Sequence, residues 1–129
     1  MDLSLVVESL ERLADRDIDP TQAVYARLFG QYPEMEALFI RDHKYIVRGQ
    51  MVQMVIENLL DYATARTFGL PMIRAEKVNH ANLGVPPEVF SRFFAIVQAA
   101  LAALLGPDWT PATERAWNDM LASLEREMV

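Results

Sequence analysis

Cysteine is absent, which removes disulfide frameworks, cysteine–zinc sites and thiol nucleophiles from consideration. Basic residues are scarce: 12 Lys and Arg stand against 18 Asp and Glu, a formal charge of −6. That balance argues against a nucleic-acid partner, which needs a basic patch, and against an anionic membrane surface. Strand signals are missing as well, with no sustained alternation of apolar and polar residues and no Asn-Gly or Asp-Gly hairpin. No P-loop, Gly-rich dinucleotide fingerprint or Ser–His–Asp set is present. The most apolar run, Ala95 to Leu105, is interrupted by Gln98 and reads as too short to span a bilayer. The opening MDLSLVVESLERL is acidic and amphipathic and does not read as a signal peptide. No repeat, low-complexity tract or linker divides the chain. The expectation is one soluble cytoplasmic domain over residues 1–129, without membrane or nucleic-acid partners.

What is present is helical periodicity, punctuated by proline and glycine. Leu3, Val6, Val7, Leu10 and Leu13 form a first stripe. Asp19-Pro20 reads as a helix start, with Asp as N-cap and Pro in the first turn. The helix carries Val24, Tyr25, Leu28 and Phe29 and stops near Gly30. Pro33 opens a short turn, PEMEALF, ending at Phe39. After a polar segment, Met51, Val55, Leu59 and Tyr62 share one helical face. Pro71 starts a helix that carries His80 and ends around Gly84. Another runs from Pro87-Glu88 to Gly106-Pro107, with Phe90, Phe94, Val97, Leu101 and Leu104 on its stripe. Thr110-Pro111 caps the last, where Trp117, Met120, Leu121, Leu124 and Met128 align. The fold class is all-α, with six to eight helices.

Two histidines occur, His43 and His80. His43 lies among Arg41, Asp42 and Lys44 and reads as a solvated loop residue, with a sixth iron ligand as its sharper alternative. His80 sits at the end of an apolar helix, where a cap, a packed core residue and a metal ligand all compete. Histidine is the usual proximal ligand where haem iron binds and releases a gas. A haem also needs an apolar slot with an aromatic wall and a second helix facing the histidine. Phe39, Met51 and Val55 are placed to supply these, and Tyr25 brings a phenol able to donate one hydrogen bond. The blander readings are core packing for Phe39, Val55 and Phe90, and a backbone carbonyl as partner of the Tyr25 hydroxyl. The seven methionines suit an adaptable interior. The paired acids of PEMEALF and LEREM read as solvated helix faces.

A resemblance covers most of the chain. VYARLFGQYPEMEALF (24–39) resembles the second and third helices of bacterial globins. EKVNHANLGVPPEVF (76–90) resembles their proximal helix and following turn, and LGPDWTPATERAWNDMLASL (105–124) is similar to the last helix of single-domain and flavohaemoglobin-type globins. The resemblance implies a globin-like α-helical sandwich around a pocket for haem b (iron protoporphyrin IX). It puts His80 in the place of the iron ligand, Phe39 on the porphyrin and Tyr25 towards the bound gas, with Val85 and Phe90 on the proximal wall. The distal position falls nearest Met51, with Gln50 and Gln53 as the neighbours that a slip in the segment 40–48 would bring inward. Phe90 stands where flavohaemoglobins carry a proximal tyrosine, and it has no hydroxyl; the matching carboxylate is also missing. The implied acceptor behind His80 is therefore a backbone carbonyl near Glu76, a weak donor arrangement. The function implied is reversible binding of O2, NO or CO. A haem-free regulatory or interaction module and an NO dioxygenase served by an external reductase are the other two readings.

Overall fold

The computed structural model describes residues 1–129. Six α-helices follow in order: α1 (Ser4–Asp15), α2 (Thr21–Gln31), α3 (Ile46–Ala63), α4 (Gly69–Asn82), α5 (Pro87–Leu105) and α6 (Pro111–Glu127). Two 3₁₀ segments, Pro33–Phe39 and Gly106–Asp108, complete the secondary structure, and no strand is present. The all-α expectation holds.

The helix ends are set by identifiable groups. Asp19 accepts from the backbone N–H of Thr21 at 3.0 Å and from its hydroxyl at 2.6 Å, so α2 begins one residue later than expected. Thr110 caps α6 as anticipated, accepting from Thr113 N at 3.1 Å. Helix α4 starts at Gly69, two residues before Pro71, because the Asp61 carboxylate reaches across from the end of α3. It accepts from the backbone N–H groups of Thr67, Phe68 and Gly69 and from the Thr67 hydroxyl, at 2.7–3.2 Å. Burial opposes ionisation there, but the bond from Gly69 and those from Thr67 and Phe68 prevail, lowering the Asp61 carboxyl to about 2. Gly69 is required sterically: a Cβ there would stand 2.3 Å from the Asn58 carbonyl oxygen. The other end of α4 closes with Gly84 at φ +92°, and Val85 N donates to the His80 carbonyl at 2.9 Å.

The core lies where α5 packs against α1, α2, α4 and α6. Trp117, Leu101, Val97 and Val6 are fully buried in it. Trp117 Nε1 donates to Ser9 Oγ at 2.9 Å, and the Ser9 hydroxyl donates to the Val6 carbonyl at 2.7 Å. Counted from Pro87 to Asp108, the α5 region is long and apolar enough by length and composition to cross a bilayer. That corrects the reading from Ala95 alone, because Val89, Phe90, Phe93 and Phe94, interrupted by Ser91 and Arg92, extend the apolar stretch upstream. Its apolarity has a structural cause, since it packs against α1, α2, α4 and α6. Glu127 is likewise no solvated acid: it accepts from Tyr62 Oη at 2.7 Å beside Ser123, tying the end of α6 to α3.

Candidate functional site

Helices α3 and α4 meet at Gly69, and residues of both, with others from α2 and α5, line a cavity of about 550 Å³. Sixteen of its 21 lining residues are hydrophobic, which makes it an apolar slot of the size that cofactors fill. All seven residues singled out in the sequence line it: Tyr25, Phe39, Met51, Val55, His80, Val85 and Phe90. Gln50 and Gln53 are exposed on the other side of α3, with Gln53 bonded to Glu57, so the phase of the helix turns Met51 inward. His43 is exposed and does not reach the cavity.

His80 is held in one orientation. Its Nδ1 lies 2.7 Å from the Glu76 carbonyl oxygen, one helical turn back. A carbonyl only accepts, so in the neutral ring Nδ1 carries the proton and Nε2 keeps its lone pair. Phe90 packs at 5.3 Å between ring centroids and limits rotation of the imidazole. One contact departs from the expectation of a carbonyl alone: the Glu76 carboxylate also comes within 3.4 Å of Nδ1. A carboxylate is therefore present beside the histidine, on its own helix.

Tyr25 is 2% exposed. Burial raises the pKa of its hydroxyl well above the ordinary value, the Arg48 charge opposing and the Asp42 charge reinforcing, so the group is a permanent donor. Its partner is the Met51 sulfur at 3.8 Å rather than a backbone carbonyl. Thioether sulfur is a weak acceptor, so this bond yields readily to an oxygen. Phe39 stands edge-on to Tyr25 at 5.2 Å and also meets Phe29.

Two features of this site are absent from the sequence reading. The first is a clamp at the cavity rim. Asp42 accepts from Val47 N, Arg48 N and Arg48 Nε at 3.0–3.1 Å, and the Arg48 guanidinium lies 3.7 Å from the Tyr45 ring centroid and 5.5 Å from that of Phe39. Tyr45 takes the left-handed conformation at φ +60° to allow it. An Asp a few residues ahead of a helix is the signal that could have revealed it. The second is Asn58, whose spacing of i+3 from Val55 and i+7 from Met51 puts it on the same face.

Metal binding by a carboxylate or histidine cluster has no support, since no group of three or more such side chains converges. One inward-facing imidazole in an apolar slot instead suits a planar cofactor that brings its own metal with four ligands in place. Among curated proteins and solved structures, no significant match is found. The family model described as Globin matches residues 22–128, from α2 through the end of α6, and with them every residue of the site. The chain belongs to the globin family.

Proposed function

We propose that this globin binds a diatomic gas reversibly at the iron of haem b, with His80 as the proximal ligand and Tyr25 as the hydrogen-bond donor to the gas. In subtype it resembles bacterial single-domain globins and the haem domain of flavohaemoglobins. The observation that carries the reading is the fixed imidazole. The Glu76 carbonyl occupies Nδ1, and Nε2 is the one remaining nitrogen of a ring that lines a predominantly apolar cavity. Haem, when bound, supplies the iron that takes the gas. The protein's own part is to hold the imidazole, exclude water with Met51, Val55 and Phe39, and present the Tyr25 proton. The Tyr25 hydroxyl rests on a weak sulfur acceptor, so turning it to a polar ligand sacrifices little.

A second reading, NO dioxygenation with electrons from an external reductase, draws on the Glu76 carboxylate. A carboxylate behind a metal-bound histidine makes the imidazole more basic and favours O–O chemistry over simple binding. At 3.4 Å, with the carbonyl nearer, that effect is secondary, and the binding reading stands first.

The test is a visible absorption spectrum of the purified protein with haem supplied, alongside His80→Ala. A haem–imidazole spectrum in the parent, lost in the variant and recovered with added imidazole, is the outcome expected. An unchanged spectrum in His80→Ala overturns the proximal assignment, and no uptake in either protein favours a haem-free module.

A further inference from the structure

Five polar residues line the cavity: Arg41, Asp42, Asn58, Glu76 and His80. Arg41 is exposed, Asp42 is paired with Arg48, His80 Nδ1 bonds the Glu76 carbonyl, and the Glu76 carboxylate lies 3.4 Å from the same nitrogen. Asn58 differs from all of them. It is 4% exposed, yet its carboxamide makes no hydrogen bond to any protein group. Every completely sealed side-chain nitrogen or oxygen in the molecule has a partner, so the amide is not completely sealed, and the residue that carries it lines the cavity. Its place is the closed end. The first turn of α4 touches α3 at Asn58, and Ile73, one turn further along α4, is 2% exposed and lines the same wall. The exposed apolar lining residues Leu38, Val47, Met54 and Leu83 mark the rim.

An amide kept from water without a partner is costly, and an apolar slot filled by a hydrocarbon edge would leave it so. We propose that Asn58 is a hydrogen-bonding subsite at the closed end of the pocket, taking an oxygen at the buried edge of the bound tetrapyrrole. In haem b, whose only oxygens are those of its propionates, that oxygen is a water enclosed beside the ring; in a macrocycle bearing a carbonyl at that edge, it is the carbonyl. The amide offers two N–H donors and a carbonyl acceptor, so it accommodates either. The proposal rests on the haem-binding reading and adds a preference among macrocycles that the apolar walls do not provide.

The experiment reconstitutes the protein with protohaem, mesohaem (ethyl groups in place of vinyls) and diacetyldeuterohaem (acetyl groups there). Retention is measured as the rate of haem transfer to an excess of acceptor protein. Asn58→Leu keeps the branching and heavy-atom count of the side chain, and Asn58→Ser keeps a hydroxyl. The ratio of acetyl to ethyl haem retention, taken within each variant, is insensitive to overall stability. It should fall roughly two- to tenfold in Asn58→Leu and less in Asn58→Ser, the worth of one neutral hydrogen bond. A resonance Raman carbonyl stretch of the acetyl group lowered in the parent and not in Asn58→Leu assigns the partner to the ring. An unshifted stretch, with an ordered water on Asn58 in a crystal of the protohaem complex, assigns it to water. Binding of all three haems with an unchanged ratio and no oxygen near the amide overturns this proposal alone. Failure of all three to bind overturns the haem reading and this proposal with it.

Discussion

The end of the molecule around Trp117 and the wedge between α3 and α4 are built from the same kinds of residue and behave as opposites. Around Trp117 each polar group has a partner: the indole N–H on Ser9, Gln98 on Glu114 and Asn118, and Tyr62 on Ser123 and Glu127. In the wedge, the Tyr25 hydroxyl leans on a thioether and the Asn58 amide has no protein partner. Leu38, Val47, Met54 and Leu83, all on the cavity wall, stay exposed. One region is complete in itself, and the other leaves polar groups and apolar surface without protein partners.

The sharpest way to break this contrast is to truncate one aromatic in each region. Trp117→Ala should cost about 3–5 kcal/mol in urea unfolding, the usual loss for a large buried ring. Phe39→Ala, whose ring already borders empty space, should fall well below ~3 kcal/mol in the cofactor-free protein. Equal costs would mean that the wedge is as much core as the other end.

Next in size is Gly69→Ala. With the new methyl directed at the Asn58 carbonyl, α4 must shift, at about 1–3 kcal/mol as for other overpacked contacts. Thermal melting measures the cost, and faster haem transfer reports displacement of His80. A variant as stable and as retentive as the parent would show that α4 slides freely.

Asp61→Asn tests the same junction through pH. The folded carboxyl, at about 2, lies below its ordinary 3.8, so the ionised form favours the native state. That contribution is complete above pH ~4 and vanishes as the pH falls to ~2. The variant should therefore be less stable than the parent at pH 7, with the gap narrowing between pH 4 and 2. A gap independent of pH would sink the assignment.

The smallest effect belongs to Tyr25→Phe. One hydrogen bond to a polar ligand is worth about 0.5–1.5 kcal/mol, so O2 release should quicken severalfold while CO release, from a less polar ligand, barely changes. Flash photolysis and stopped-flow mixing measure both. Equal effects on the two gases would mean that the hydroxyl serves only to pack.

What the sequence disclosed follows the same division. The helices were legible because apolar spacing and terminal Pro, Thr and Gly act locally, as at Thr110 and Gly84. The seven site residues were legible through helical phase joined to a family resemblance, and phase resolves Met51 against Gln50 and Gln53. Asp61 was invisible because it caps a helix other than its own, across a turn with no motif. Glu127 looked like a surface acid because its partner Tyr62 is 65 positions away. Asn58 was hidden by its type, since a polar residue on an apolar face is normally explained away as a bonded one.

Gly69 and His80 stand at the two ends of α4, 11 positions apart (69 to 80). At 1.5 Å per residue the helix is a lever arm of ~16 Å, and a tilt of ~5° about the glycine carries the imidazole ~1.4 Å. The fulcrum is a bare backbone contact in which no side chain fits. Mutations that relieve or crowd that contact will therefore be read at the far end, in the bond between His80 and whatever it holds.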